Sequence, residues 1–102
     1  MTHEPKFCTT MAEVRREVDA LDDLIVPLLV QRTGYMTQAA RIKQQESQVR
    51  DEARIEAIVQ RVREHAAAEG GDAGLIETIY RGMMEACIAY EHREFARLRS
   101  NP

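Results

Sequence analysis

The sequence predicts an all-α fold in which three helices form one subunit and a long first helix pairs with a second copy of the chain. Helix-favouring Ala, Leu, Glu, Arg and Gln are abundant, whereas the 102 residues include only 5 glycines and 3 prolines. Apolar residues recur at helical spacing in three separate stretches. The first stretch is too long for a compact domain of this size, and this excess length is what predicts a dimer.

The first element begins after a short polar segment. Residues 1–10 contain Pro5 and are predicted to form a flexible arm before a single helical domain over 11–99. Thr10 and Glu13 match a capping box, in which the hydroxyl caps the helix and the carboxylate binds the Thr10 amide. The helix is predicted to run from about 11 to 46. Its apolar seam has the 3.5-residue period of a supercoiling helix: Met11, Val14, Val18, Leu21, Ile25, Leu28, Tyr35, Ala39 and Ile42.

Two residues oppose a continuous first helix. Pro27 deletes a backbone donor and is expected to kink the helix, and Gly34 weakens it. Because the seam keeps its phase across both residues, one helix is still predicted.

Two shorter helices follow a polar break at 47–50. The second begins near Asp51, buries Ile55, Ile58, Val59 and Val62, and ends before the turn at Gly70-Gly71. Asp72 is the predicted N-cap of the third helix, which ends near Arg99, before Asn101-Pro102. The predicted inner face of the third helix consists of Ile76, Ile79, Tyr80, Met83, Cys87 and either Tyr90 or Glu91.

The length of the first helix favours a symmetric dimer. Roughly 36 residues at 1.5 Å each give a rod of about 54 Å, whereas a compact domain of this size has a radius of gyration of about 13 Å. Part of the seam would therefore stay uncovered in a single chain. Two long helices that cover each other solve this problem, and a pocket in such a dimer can take residues from both subunits.

Composition excludes several classes of function. A formal net charge of −3 provides no basic field for nucleic acid. Cys8 and Cys87 fit neither a metal-site spacing nor a disulfide framework, so both are predicted to be free thiols in a reducing compartment. The N-terminus lacks a signal-peptide core, and no stretch has the roughly 20 apolar residues that span a bilayer. A cytoplasmic protein is expected.

Arg32 is the first candidate functional residue, because it occupies a seam position where a cation is costly unless it is paired or binds an anion. Lys43 lies three turns further along nearly the same face. Arg15 borders the seam about 25 Å from Arg32, so it can approach Arg32 only from a second, antiparallel chain. On the second helix, Asp51 and Arg54 lie one turn apart and Arg54 can point inward. Together these residues favour a site for a small dianion.

Each of these residues also has a purely structural interpretation. Arg15 can be a solvated surface arginine, and Lys43 a side chain that extends to water from a helix end. Asp51 and Arg54 can form only a local pair at a helix start. Arg32 can be buried against a carboxylate such as Glu91.

Ordered strings of residues decide between these interpretations. Residues 14–22, 28–32, 40–43 and 49–54, followed by 83–91, resemble the all-helical chorismate mutase family over roughly residues 11–98. The resemblance implies an intertwined homodimer of three-helix subunits with two equivalent sites. It also implies that the enzyme rearranges chorismate to prephenate, a unimolecular reaction that needs no nucleophile, metal or cofactor.

The resemblance also implies roles for residues. Arg32 and the partner's Arg15 would bind the two substrate carboxylates, and Lys43 would bind a carboxylate and the ether oxygen. Asp51 and Arg54 would line the pocket, with Asp51 near the substrate hydroxyl. Catalysis would rest on holding the compact conformer and stabilising negative charge on the ether oxygen.

Three positions depart from the family pattern and keep the choice of reaction open. Ile55 stands where many members have glutamate, Glu91 where many have glutamine, and Cys87 where a small hydroxyl residue is common. Glu91 is expected to act only when protonated, because an ionised carboxylate would repel charge on the ether oxygen. Ile55, the segment Phe7-Cys8-Thr9 and the stretch 35–43 resemble the isochorismate pyruvate-lyase subgroup, which releases pyruvate and leaves salicylate. A non-catalytic helical dimerisation module is the third alternative.

Overall fold

The structure, a computed structural model, describes residues 4–100. Residues 1–3 of the predicted arm and the terminal Asn101-Pro102 lie outside the described part. The elements are α1 (Met11–Ile42), a short 3₁₀ helix (Glu46–Gln48), α2 (Glu52–Ala68) and α3 (Ala73–Arg99). No strand occurs among residues 4–100. The predicted all-α fold with three helices and a long first helix is therefore confirmed.

Local signals place the start of each helix as predicted. Thr10, Asp51 and Asp72 are the N-caps, and each side chain accepts a hydrogen bond from the backbone amide three residues later. One detail of the prediction is wrong. The Glu13 carboxylate accepts hydrogen bonds from the hydroxyl groups of Thr9 and Thr10, at 3.0 and 3.1 Å, and not from the Thr10 amide.

The end of α1 was predicted wrongly. The helix continues through Pro27 and Gly34 as expected, but it stops at Ile42 instead of about residue 46, and Lys43 is extended. The reason lies in the linker, where the Gln48 side-chain oxygen accepts hydrogen bonds from the amides of Gln44 and Gln45 at 2.9 and 3.0 Å. These amides would otherwise continue the helical ladder.

The turn between α2 and α3 follows the predicted stop. Gly70 has a φ of +76°, the left-handed conformation that glycine adopts most readily. The Gly70 amide donates to Ala67 and the Gly71 amide to Ala66, at 3.0 and 2.8 Å, which forms a Schellman motif. This turn sends α3 back along α2.

α3 is the central element, because both α1 and α2 pack against it. Two small clusters form the core; one joins Ala40, Val49 and Phe95, and the other joins Ile55, Val59 and Met84. The predicted inner face of α2 is confirmed at Ile55, Val59 and Val62, whereas Ile58 is half-buried.

Two predictions about the core were partly wrong. On α3 the predicted Cys87 and Glu91 are buried, but Met84 and Phe95 complete the buried face and the predicted Ile79 is exposed. The segment 47–50 is not wholly a polar break, because Val49 is only 4 % exposed. Both errors have the same cause: the face is chosen by contact with a distant helix, which short-range periodicity does not report.

Ion pairs on the outer face hold α2 against α3. Arg50 binds the Glu85 carboxylate through both terminal nitrogens, at 3.0 and 2.7 Å, and Arg81 binds Glu56 in the same way at 2.9 Å. The Arg50 hydrogen bonds lower the pKa of Glu85, and those from Arg81 lower the pKa of Glu56. The Arg50 pair matters for the site, because it fixes the residue immediately before the cap of α2.

The described chain is elongated, with principal extents of 58 × 27 × 21 Å and a radius of gyration of 17.2 Å. A compact domain of about 100 residues has a radius near 13 Å. The excess comes from the N-terminal half of α1, which extends beyond the other helices. Its predicted seam is exposed in the single chain at Met11, Val14, Val18, Leu21, Ile25 and Leu28. Among the described residues, no helix combines the length and apolar character needed to cross a membrane.

Candidate active site

A cavity of about 340 Å³ lies between the C-terminal half of α1, the start of α2 and the middle of α3. This volume is within the range of small-molecule sites. Seven of the eight predicted site residues line it: Arg32, Lys43, Asp51, Arg54, Ile55, Cys87 and Glu91. The remaining lining residues are apolar, and the sequence prediction did not name them as site residues: Met36, Ala39, Val49, Ile58, Met84 and Ile88.

α1 contributes one row of side chains to the cavity. Arg32, Met36, Ala39 and Lys43 follow each other at spacings of three or four, which places them on a single helical face. Lys43 is the first residue after the helix and adopts an extended conformation. Its side chain therefore starts at the end of the row and reaches Glu91 on α3.

Among the described residues, Arg32 has no carboxylate partner. Its Nη1 donates to the Cys87 thiol at 3.4 Å, and within residues 4–100 no acidic oxygen lies within 4.0 Å of its guanidinium nitrogens. A guanidinium carries five N–H donors, and a thiol is a weak acceptor. The suggestion that Glu91 neutralises Arg32 is therefore wrong.

Glu91 binds Lys43 instead. The Lys43 Nζ donates to Glu91 Oε2 at 2.7 Å and to the Val49 carbonyl oxygen at 3.4 Å. Glu91 is 4 % exposed, and the Lys43 side chain is 27 % exposed. Because an ammonium has three N–H donors, two contacts leave one donor for a ligand in the cavity.

Asp51 and Arg54 form the third side of the cavity. Asp51 Oδ1 accepts from the backbone amide of Arg54 at 3.0 Å, so their local pairing is a helix cap and not a contact between charged side chains. The Arg50–Glu85 pair holds the preceding residue. Arg54 lines the cavity, as predicted for an inward-facing side chain, and it has no ion-pair partner among residues 4–100.

Arg15 lies away from this cavity. It is exposed on the protruding half of α1, and 17 residues of helix, or about 25 Å, separate it from Arg32. Within one chain the two residues cannot bind the same small molecule.

The lining determines what the cavity can do. Three cationic side chains and two carboxylates surround an apolar floor, and one of the carboxylates is already paired with Lys43. Among the lining residues there is no serine or histidine, and both Cys8 and Cys87 are free thiols. The arrangement suits binding of a small anion with an apolar body and electrostatic stabilisation of charge on it. It does not contain a nucleophile with an adjacent base.

The family assignment comes from comparison with known proteins. A family model for chorismate mutase type II matches residues 14–92. This match spans more than half of the chain and includes every lining residue of the cavity. The chain belongs to this family. Its three-helix fold is the fold of this family, and the cavity coincides with the part of the chain that carries the family resemblance.

Comparison with a curated relative does not decide which reaction the chain catalyses. The isochorismate pyruvate lyase of Pseudomonas aeruginosa is 29% identical over 85 residues, which cover 83% of this chain and 84% of that protein. The family therefore includes a mutase and a lyase, and both names refer to chorismate-type compounds. The chain is a member of this enzyme family, with a cavity suited to a small anionic substrate.

Proposed function

We propose that the protein is a chorismate mutase that rearranges chorismate to prephenate within this cavity. The observation that carries the proposal is the pair of cations, Arg32 and Arg54, that line the cavity without acidic partners among the described residues. Chorismate is a dicarboxylate with an apolar ring, which matches cations around an apolar floor. The rearrangement breaks the ether C–O bond and forms a C–C bond within one molecule, so it needs neither a nucleophile nor a cofactor.

The active form in this proposal is an intertwined homodimer. The exposed apolar seam on the N-terminal half of α1 supports it, since this half packs against little else in its own chain. Antiparallel pairing of two α1 helices would bring the partner's Arg15 to the cavity that contains Arg32. Each of two equivalent cavities would then bind one carboxylate with Arg32 and the other with the partner's Arg15.

Lys43 and Glu91 would act on the ether oxygen. Their side chains already touch at 2.7 Å, so a single substrate atom near this contact can reach both. Lys43 has a free N–H donor for that atom. Glu91, whose carboxylate accepts from Lys43 at 2.7 Å in the structure, would supply a second donor only after it takes up a proton. Two donors on the oxygen stabilise the negative charge that develops as the C–O bond breaks, and Asp51 would bind the substrate hydroxyl.

The role of Glu91 has a direct test. If its protonated form is needed, turnover falls as pH rises, and Glu91→Gln gives a flatter pH–rate profile because the amide donates a hydrogen bond at every pH. The measurement is initial rate between pH 5 and 9 for both proteins. An identical pH profile in the variant would exclude this role.

A second candidate function is isochorismate pyruvate lyase. Ile55 lines the cavity beside Arg54, where many chorismate mutases have glutamate, and the relative from Pseudomonas aeruginosa carries the lyase name. An apolar side chain at this point removes a partner for a substrate hydroxyl and so favours a substrate whose hydroxyl lies elsewhere on the ring. Salicylate and pyruvate together contain all atoms of isochorismate, so this reaction also needs no cofactor.

One experiment separates the candidates. The purified protein is incubated with chorismate and, separately, with isochorismate, and prephenate, salicylate and pyruvate are followed. Prephenate from chorismate as the faster reaction supports the mutase, and faster release of salicylate and pyruvate from isochorismate supports the lyase. Turnover of neither compound supports a non-catalytic dimerisation module.

Variants then test the cavity. Arg32→Ala and Lys43→Ala are expected to abolish turnover while circular dichroism and sedimentation remain those of the wild type. Arg41→Ala is the matched control, because Arg41 is an exposed cation on α1 that does not line the cavity. Arg15→Ala tests the residue proposed to come from the partner subunit, and Arg16→Ala is its control. Full activity in both cavity variants would refute the assignment.

A further inference from the structure

We propose that Arg99, at the last residue of α3 and outside the cavity, is a positioning residue that fixes the backbone of Lys43. The consequence for catalysis rests on the proposed function, whereas the structural role of Arg99 does not. The geometry that supports the inference is a guanidinium laid across the end of α1, at the point where the chain leaves the helix and enters the cavity wall.

The Arg99 guanidinium donates hydrogen bonds to three backbone carbonyl groups. Its Nη1 donates to the Ala40 oxygen at 2.9 Å and to the Phe95 oxygen at 3.3 Å, and its Nη2 donates to the Lys43 oxygen. The guanidinium carbon also lies 3.5 Å from the centroid of the Phe95 ring. Phe95 belongs to the core cluster with Ala40, so the ring that supports the guanidinium is itself held in place.

The end of α1 needs this donor. The last carbonyls of a helix have no intrahelical partner, and side chains or water must supply one. The Lys43 amide donates to Ala39, but the next two amides, of Gln44 and Gln45, donate to the Gln48 side chain. The Ala40 carbonyl therefore receives no backbone amide from residues 43–100. Ala40 is 0 % exposed, so Arg99 supplies the donor where water has little access.

The same contacts constrain Lys43. Its amide is bound to Ala39 and its carbonyl to Arg99, so both peptide units that flank its Cα are fixed. The side chain then extends from a fixed point to Glu91 Oε2 and the Val49 carbonyl. A donor that must meet one substrate oxygen depends on such fixation, because a misplacement of about 1 Å can lower a rate by about 100-fold.

The test compares Arg99→Gln with Arg99→Lys and with Arg97→Gln. Arg97 is the matched control, because it lies in the same last turn and binds Glu94, and among residues 4–100 it donates no hydrogen bond to the end of α1. We expect Arg99→Gln to lower kcat/KM for the preferred substrate by about 10-fold, mainly through kcat. Arg99→Lys should recover only part of the loss, since an ammonium cannot bridge two carbonyls as a planar guanidinium does. Arg97→Gln should stay within twofold of wild type.

A second measurement does not require turnover. Amide hydrogen exchange at Lys43, followed by NMR, should be about 10-fold faster in Arg99→Gln, with amides in the middle of α2 unchanged. The inference would be overturned if the Lys43 amide in Arg99→Gln exchanged at the same rate as in the wild type. It would also be overturned if the wild type is active and Arg99→Gln has the same kcat/KM. If the wild type turns over neither substrate, the proposed function fails, and the exchange rate alone decides whether Arg99 fixes Lys43.

Discussion

Replacing Lys43 with methionine separates the structural and catalytic contributions of the Lys43–Glu91 pair. Methionine keeps most of the apolar stem of the side chain but removes the ammonium that lies 2.7 Å from Glu91. The Glu91 carboxylate, 4 % exposed, is then buried without its counter-ion. We expect Lys43→Met to lose both activity and stability.

The structure sets the size of the stability loss. Removing one partner of a buried ion pair costs about 3–5 kcal/mol, because the remaining charge is uncompensated. The Lys43 side chain is 27 % exposed, so the pair lies at the edge of the core and water reaches part of it. We therefore expect the lower part of this range or slightly less, about 2–3 kcal/mol at pH 7.

The assay is urea denaturation at pH 7, with all proteins at the same concentration, since the proposed dimer would make stability depend on concentration. The double variant Lys43→Met/Glu91→Gln is the control. It replaces the stranded carboxylate with a neutral amide and should recover at least half of the loss, yet stay inactive because the ammonium is absent.

Two results would refute this reasoning. One is a Lys43→Met protein as stable as the wild type, which would mean that the pair is not buried in solution. The other is a double variant no more stable than Lys43→Met, which would mean that the loss does not come from the charge on Glu91.

Three further predictions concern other parts of the chain. Hydrogen bonds from Arg97 and Thr37 lower the pKa of Glu94 to about 2. This carboxylate therefore stabilises the fold above its unfolded pKa of about 4.3 and loses the effect as pH falls towards 2. In urea denaturation, Glu94→Gln should therefore lose less stability than wild type between pH 5 and 2.5. Asp51→Ala should cost about 1 kcal/mol in urea denaturation whereas Asp51→Asn keeps the cap, and an equal loss in both would count against the capping role. Leu28→Glu places a charge on the exposed seam and should give a monomer in sedimentation analysis, and an unchanged dimer would show that this face is not the interface.

Signals within a few residues of each other predicted the frame of the fold. The N-caps Thr10, Asp51 and Asp72 and the glycine stop at Gly70 depend on contacts within one turn, so the sequence contains all that is needed. The end of α1 depends instead on the Gln48 side chain and on Arg99, the latter 59 residues away from Ala40. No local pattern carries that information.

The charged residues of the cavity were predicted, together with Ile55 and Cys87, whereas the other apolar lining residues were missed. Arg32 was identifiable because a cation interrupts an apolar period, and its neighbours Met36 and Ala39 share its face at helical spacing, a signal that was available. Val49 was missed because one apolar residue in a polar linker has no periodicity. Met84 and Ile88 were missed because the face of α3 is fixed by packing against two helices at once.

Arg15 represents the part of the proposed site that a second subunit would supply. It is exposed about 25 Å from Arg32 along α1, and only a second subunit could bring it to the cavity. Periodicity and helix length predict that a partner subunit is needed, and the family resemblance implies that Arg15 binds a substrate carboxylate. Neither places Arg15 in contact with the cavity of its own chain.

The most direct test of the proposed function is turnover of chorismate by the wild-type protein and by Arg32→Ala, with Arg41→Ala as the control. The proposal predicts prephenate formation by the wild type and by the control, and a loss of at least about 100-fold in Arg32→Ala, as expected when a main electrostatic contact is removed. Wild-type turnover in Arg32→Ala, or no prephenate from the wild-type protein, would contradict it.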